Sequence, residues 1–264
     1  MSAERGRRSS TSAWWLLLPV LSVVLVSVAV VTKTRGERTL VLMAGRRDET
    51  VDLVTSFADA SWQCFSCDHV TINETLTLVP SPSRDYWQRT FYSPLLRKDD
   101  APRFTAPVAA GVEASLEVAF SLEHAAQFDQ AGALIRVDEG HWVKAGIEVV
   151  DGVPRLSVVV TSGFSDWSTQ PWPDSSLKVR LHKLLPGPEQ GPAVVVEAAS
   201  FDDSSDDEWH LVRIASLRPP PNVPWRLGVF AAAPVAQLGC RATFHSIRLG
   251  PKLPIVHDTD PGHS

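Results

Sequence analysis

The chain has 264 residues, a formal net charge of −5 at pH 7 and 44% hydrophobic residues, which is an ordinary globular composition. The acidic balance, without a basic stripe interleaved with aromatic residues, argues against nucleic acid as a partner. Beyond the first stretch of the chain, the length suits one all-β domain, since such domains commonly reach roughly 200–250 residues.

The N-terminal region contains an uncharged apolar run, Ala13–Val31, after a short polar tail at residues 1–12. A helix needs about 20 apolar residues to cross a bilayer core, and the apolar part of a signal peptide usually has about 7–15. The run therefore favours an uncleaved single-pass membrane anchor, with a cleaved signal peptide and a secreted protein as the alternative. Basic residues flank both ends, so the positive-inside rule does not decide the orientation.

The next segment, residues 32–50, is charged and is interpreted as a linker, with a first strand at Thr39–Met43. Asn73 begins a glycosylation sequon, which favours a lumenal or extracellular position for the following domain. Cys64 and Cys67, in the sequence CFSC, form either a local disulfide in that compartment or two ordinary thiols.

The central stretch reads as three consecutive strands, Gly132–Asp138, Val143–Val149 and Arg155–Thr161. Apolar and polar side chains alternate along the first two, as they do in strands that have one face on a core. Turn-forming residues separate the strands, and a loop with exposed aromatic residues, SGFSDWSTQPWPDSS, follows them. The residues expected to face the interior are Ala133, Ile135, Val137, Ala145, Ile147 and Val149.

The pattern DQAG-x-x-x-R-x-D-E-x-x-W-x-K-x-G-x-E, then G-x-x-x-L-S-V-V-V-T and S-D-W-S, resembles the DUF1349 family, also called regulation-of-enolase-like. The resemblance extends from about Asp85 to about Leu249. It implies a concanavalin A-like jelly-roll sandwich of two antiparallel sheets, which we expect over residues 51–250. The activity of the family is poorly defined, so the resemblance implies a fold rather than a reaction.

Further strands are expected on both sides of the central stretch, and residues 251–264 are expected to be a disordered tail. The other predicted strands are Leu76–Val79, Asp85–Tyr92, Ala114–Leu122, Leu177–Leu184, Val194–Ser200, Trp209–Ser216, Trp225–Ala232 and Arg241–Leu249.

The polar face of the central strands is the candidate ligand site. Arg136, Lys144 and Glu148 lie in phase opposite the apolar side chains, and Ser157 can join them from the third strand. Trp167, at the rim, would offer an apolar plate on which a sugar ring can stack. The same residues would also suit an internal ion-pair network, with Trp167 plugging one end of the sandwich.

No catalytic residue is assigned. A glycoside hydrolase needs two carboxyl groups about 5–10 Å apart, and Glu148 has only Asp138 as an obvious neighbour on these strands. No metal-ligand spacing or cofactor motif is found either, so neither a metal nor a cofactor is expected. The predicted function is a membrane-tethered, non-catalytic module that binds carbohydrate or a protein partner. The alternatives are a glycan-active enzyme of the jelly-roll type and a regulator of a metabolic enzyme, as the family name suggests.

Overall fold

The computed structural model describes residues 31–34, 37–40, 51–52, 62–67, 70–72, 75–201, 208–235 and 239–256. Within these ranges the chain forms 19 strands and no helix. The strands are β1 (Val31–Thr34), β2 (Glu37–Leu40), β3 (Val51–Asp52), β4 (Gln63–Phe65), β5 (Val70–Ile72), β6 (Leu76–Leu78), β7 (Tyr86–Gln88), β8 (Arg97–Asp99), β9 (Arg103–Val108), β10 (Ala114–Glu123), β11 (Gln130–Asp138), β12 (His141–Val150), β13 (Val153–Ser162), β14 (Ser165–Pro171), β15 (Ser176–Leu184), β16 (Ala193–Ala199), β17 (His210–Ser216), β18 (Trp225–Ala232) and β19 (Arg241–Gly250).

Two large antiparallel sheets make up a β-sandwich. The first sheet has nine strands in the order β1-β2-β4-β9-β18-β11-β12-β13-β14. The second has eight, in the order β17-β16-β15-β10-β19-β6-β5, with β3 also paired to β19. A separate two-stranded hairpin is formed by β7 and β8. The prediction of an all-β fold with two antiparallel sheets is confirmed.

The core lies between the inner faces of the two sheets, where alternate side chains of the long strands meet. Each long strand buries every second side chain there because successive residues of a strand point to opposite faces. The three central strands of the sequence are β11, β12 and β13, paired consecutively as expected. The predicted core residues are all buried: Ala133, Ile135, Val137, Ala145, Ile147 and Val149.

The outer face of the first sheet carries a second apolar cluster, because the β7–β8 hairpin packs across it. Tyr86 and Trp87 of the hairpin are buried against Leu134, Trp142 and Phe230 of the sheet. Tyr86 lies edge-on to Trp142 and Phe230, with ring centroids 5.8 and 6.0 Å apart. The first sheet is therefore covered on both faces over part of its length, and the hairpin separates its polar side chains from solvent.

Two local predictions differ from the structure. The stretch Asp85–Tyr92, expected as one strand, contains only β7, because the backbone of Arg89 and Phe91 enters the left-handed region at φ 64° and 68°. The prediction of an aromatic loop after the third strand is wrong, because Ser165–Pro171 of that stretch form the edge strand β14. An edge strand can carry many polar residues, since one of its sides faces water, and here Asp166, Ser168 and Gln170 are exposed.

Several N-terminal and C-terminal predictions fall on residues outside the described ranges. They concern residues 13–30 of the expected membrane anchor, Asn73 of the sequon, and residues 257–264 of the expected tail. Within the described part of the chain, no helix is long and apolar enough to cross a membrane. The strands β1 and β2 lie around the start of the segment that was interpreted as a linker.

Candidate functional site

A buried polar network occupies the outer face of β11, β12 and β13. Lys144 donates hydrogen bonds to the main-chain oxygen of Tyr86 at 3.1 Å and to Oε1 of Gln130 at 2.5 Å. Its ammonium also lies 3.6 Å from Oδ1 of Asp85. Because Tyr86 and Asp85 belong to the hairpin and Gln130 to the sheet, Lys144 connects the hairpin to the sheet.

Glu148 is the second charged member of this network. Ser157 donates to Oε2 of Glu148 at 2.6 Å, and Gln130 Nε2 lies 3.4 Å from Oε1. Burial raises the pKa of Glu148 above its ordinary value, and the nearby ammonium of Lys144 opposes that rise. Trp167 extends the network, because its Nε1 donates to Ser157 Oγ at 2.9 Å.

Arg136 lies on the same face but makes a separate ion pair. Its guanidinium donates to both carboxylate oxygens of Asp99 in β8, at 3.0 and 2.5 Å. This two-pronged contact fastens the far strand of the hairpin to the sheet. The structure thus unites Lys144, Glu148 and Ser157 with Trp167 in one network and gives Arg136 a different partner.

The polar network is closed to solvent in this structure. Lys144, Glu148 and Ser157 are 3%, 6% and 5% exposed. The space that they enclose with Gln130 has no room for a water molecule. The predicted site residues Lys144, Glu148 and Ser157 therefore lie on the inner surface of the contact between the hairpin and the sheet, and a role for them in ligand binding stays a prediction.

An open cleft lined by aromatic residues lies beside the buried polar network. Its volume is about 740 Å³, and its residues come from the segment after β7 and from the β13–β14 turn. Two of its phenylalanines are unusually exposed, Phe91 at 90% and Phe164 at 61%. The full lining, here called the aromatic cleft, is Trp87, Arg89, Thr90, Phe91, Tyr92, Phe164, Ser165, Asp166 and Trp167.

The backbone that presents Phe91 is strained. Non-glycine residues in the left-handed region cost about 1–3 kcal/mol each and persist only where the surroundings enforce them. Here the main-chain N–H of Arg89 donates to Leu96 at 2.9 Å, and Trp87 Nε1 donates to the Thr90 carbonyl at 2.8 Å. These hydrogen bonds hold the segment that carries Phe91, whose ring is exposed.

Trp167 links the aromatic cleft to the buried network. Its ring packs edge-on against Trp87 and Phe128, with centroids 6.3 and 6.2 Å apart. The indole is half-buried, and its Nε1 is already bonded to Ser157. Trp167 therefore packs against the hairpin and lines the cleft, and its role in ligand binding stays a prediction.

The second open cleft has a volume of about 480 Å³ and lies beside β15 and the turn before β18. Prolines dominate its lining, and its one aromatic residue, Trp225, is only 5% exposed. Without an accessible aromatic face this cleft is the weaker candidate for sugar stacking.

Some residues of the site were not predicted from the sequence. The side chains of Asp85 and Gln130 and the main-chain carbonyl of Tyr86 complete the network, and Tyr92 forms part of the cleft. In the structure Asp85 to Gln88 are all buried, as happens in a segment covered on both sides. Gln130 stood inside the DQAG motif but had no assigned role.

The cysteines of the CFSC sequence are joined in the structure. Cys64 and Cys67 form a disulfide with an S–S distance of 1.96 Å. Cys240 is a free, buried thiol, and burial raises its pKa to about 12, so it stays protonated at neutral pH.

The sequence profile of the family described as "Protein of unknown function (DUF1349)" matches residues 62–252. The chain belongs to this family. A Saccharomyces cerevisiae protein named "Regulation of enolase protein 1" is 33% identical over 170 residues, which cover 64% of this chain and 78% of the relative. The resemblance inferred from the central motif is confirmed.

Solved structures share the fold of this DUF1349 chain. A crystal structure of a functionally unknown protein from Saccharomyces cerevisiae has a TM-score of 0.61 and 28% identity, over 74% of this chain and 97% of that one. The GH43 protein BlXynB of Bacillus licheniformis has a TM-score of 0.56 and 14% identity, over 72% of this chain and 37% of that one. An engineered GH43 glycoside hydrolase has a TM-score of 0.58, also at 14% identity, over 81% of this chain and 43% of that one. At such identity the hydrolases show a likeness of fold alone.

Proposed function

We propose that the β-sandwich is a non-catalytic carbohydrate-binding module and that the aromatic cleft is its ligand site. The observation that carries this proposal is the pair of exposed rings, Phe91 and Phe164, over a floor of further aromatic side chains. A pyranose ring has apolar C–H faces and a rim of hydroxyl groups, so it needs aromatic plates and polar partners together. The cleft offers Arg89 and Asp166 beside its aromatic residues.

The burial and hydrogen bonding of the acidic residues favour carbohydrate binding without hydrolysis. Asp85 and Glu148 are neighbours, because Gln130 Nε2 lies within 3.3 and 3.4 Å of their carboxylate oxygens. Hydrolysis, however, requires a sugar and a water molecule to reach the carboxyl pair. Both carboxylates are buried beneath the hairpin and are engaged in holding it, so the pair acts as a structural element. Some solved proteins of this fold are named glycoside hydrolases, and the proposal for this chain rests on its own cleft.

A protein partner is the second candidate function, favoured by the exposure of Phe91. An aromatic ring that is 90% exposed is typical of an anchor that fills a pocket on another protein. The name of the yeast relative, "Regulation of enolase protein 1", agrees with a protein partner for that protein. The two candidates use the same cleft and differ in what fills it.

We also propose the finer features of architecture and location. A concanavalin A-like jelly roll is supported by the repeated crossing of the chain between sheets, as at β9–β10, β10–β11, β14–β15 and β18–β19. A single-pass anchor at Ala13–Val31 with a lumenal or extracellular domain is supported by the apolar length of that run and by the sequon at Asn73. Release of the full chain from membranes by alkaline carbonate would contradict the anchor.

The proposed function is tested by a glycan-array screen of the chain, followed by calorimetric titration of any glycan that binds. The decisive variant is Phe91→Ala with Phe164→Ala, since both rings are exposed and contribute little to stability. The matched control is Ile214→Ala, which removes an exposed apolar side chain, 63% accessible, from β17 in the other sheet.

We expect the double variant to lose most of the glycan affinity, because it removes both exposed aromatic plates of the cleft. The control should bind like the unmodified chain, and all three should melt at similar temperatures. Failure of the array to yield any glycan, together with capture of one defined protein through Phe91, would favour the protein-partner candidate. Full glycan binding by the double variant would refute the cleft as the ligand site.

A further inference from the structure

A second buried polar network lies on the outer face of the second sheet, on the neighbouring strands β10, β15 and β16. Ser115 Oγ is 2.7 Å from Nδ1 of His182, and Nε2 of His182 is 3.0 Å from Oε2 of Glu197. All three side chains are buried. Arg180 completes the group, with its guanidinium 3.4 Å from Glu197 Oε2.

The segment that follows β19 covers this network. The main-chain N–H of Leu253 donates to Ser115 Oγ at 2.8 Å, and that of Val256 donates to Glu197 Oε1 at 2.6 Å. Nε2 of His182 donates to the Glu197 carboxylate, so in the neutral imidazole Nδ1 accepts a hydrogen bond from Ser115 Oγ, which itself accepts from Leu253 N–H. The network is a continuous hydrogen-bonded chain that starts and ends on the backbone of residues 251–256.

The two hydrogen bonds that anchor the segment come from its backbone. Lys252, Pro254 and Val256 are exposed, and only Leu253 and Ile255 are half-buried. The segment adds no strand to the second sheet. Its two anchor points are N–H groups, which every residue except proline offers, so the acceptors can bind a different sequence in the same way.

The acceptors on the sheet are held in place by the sheet itself. Ser115, His182 and Glu197 stand on paired strands, and His182 holds the other two in place from between them. The segment PKLPIV is also restricted, because each proline fixes its own φ and keeps the preceding residue extended. Little conformational entropy is lost when two such partners meet, which favours their binding.

We propose that this surface, the groove over Ser115, His182 and Glu197, is a peptide-recognition site that the chain fills with its own residues 251–256. An extended, proline-containing peptide that offers two backbone N–H groups three residues apart can take the place of that segment. The site is independent of the aromatic cleft, which lies on the other sheet.

The test uses the full chain and a synthetic peptide of residues 251–256. Amide hydrogen exchange of the chain is measured alone, with the peptide, and with the same peptide N-methylated at the positions of Leu253 and Val256. A short connection gives an attached segment an effective concentration of the order of millimolar. Free peptide at that concentration displaces half of the attached segment. The Leu253 and Val256 amides should then exchange only about twofold more slowly than fully exposed amides.

We expect the Leu253 and Val256 amides to be protected in the chain alone and to lose protection with the unmodified peptide only. The amides of β10 should stay protected throughout, which shows that the sandwich itself is intact. The proposal is overturned if these two amides exchange as fast as that of Ile255 in the chain alone. It is also overturned if the two peptides have equal effects, or if neither changes the exchange.

Discussion

Replacing Lys144 by Met tests whether the buried network holds the β7–β8 hairpin on the first sheet. The substitution keeps the apolar stem but removes the ammonium that donates to Tyr86 and Gln130. Asp85 and Glu148 then remain as buried carboxylates without their cation. Removing one partner of a buried charge pair costs about 3–5 kcal/mol. For a domain of this size, that loss lowers the melting temperature by roughly 6–20 °C.

The assay is urea unfolding at neutral pH followed by tryptophan fluorescence, with calorimetry for the melting temperature. Lys98→Met is the matched control, because Lys98 donates to the Ser83 carbonyl at the surface and such contacts contribute about 0–1 kcal/mol. Adding Asp85→Asn to Lys144→Met should restore part of the loss, since one uncompensated charge disappears. Equal stability of the Lys144 and Lys98 variants would refute the structural role of the network.

Three further predictions concern pH and packing. Burial raises the pKa of Glu148 above 4.5, so its contribution to the free energy of unfolding is full below pH 4.5 and is lost as the pH rises through the folded-state pKa. Relative to Glu148→Gln, the unmodified chain should therefore lose stability with rising pH, and a pH-independent difference would contradict this. Burial lowers the pKa of His182 below 6.5, so its contribution is present above pH 6.5 and is lost as the pH falls towards the folded-state pKa. His182→Gln should reduce this loss of stability at acid pH, as measured by denaturant titrations at several pH values. An unchanged dependence of the free energy of unfolding on pH would count against the prediction. A Cβ at Gly146 would overlap the backbone of the paired strand β11, whereas one at Gly111 would meet nothing within 4 Å; Gly146→Ala should therefore cost about 1–3 kcal/mol in urea unfolding. A similar stability for Gly111→Ala and Gly146→Ala would be inconsistent with that close approach.

The central strands β11 and β12 could be predicted because the pattern that identifies them is local in the sequence. The alternation in β11 and β12 identifies both the strand and its inner face within seven residues, and burial of Ile135 and Ile147 follows from it. The edge strand β14 was missed because an edge strand has no long apolar face to reveal it. Its polar composition is equally typical of a loop.

What covers the polar face could not be predicted, because the covering element is distant in sequence. Lys144 bonds to Tyr86, which is 58 positions away, and Arg136 bonds to Asp99, which is 37 positions away. Periodicity places Lys144 and Glu148 on one face but cannot distinguish a face in water from one beneath a hairpin. The same limit applies to His182, whose hydrogen-bond partners Ser115 and Glu197 come from two other strands.

The most direct test of the central claim is chemical-shift mapping of the isotope-labelled chain with a glycan selected on the array. If the aromatic cleft is the ligand site, the largest changes fall on the indole N–H of Trp167 and on the amides from Arg89 to Tyr92 and from Phe164 to Asp166. The groove over His182 should be unaffected. Changes concentrated instead around Trp225 and the proline-lined cleft would contradict the account.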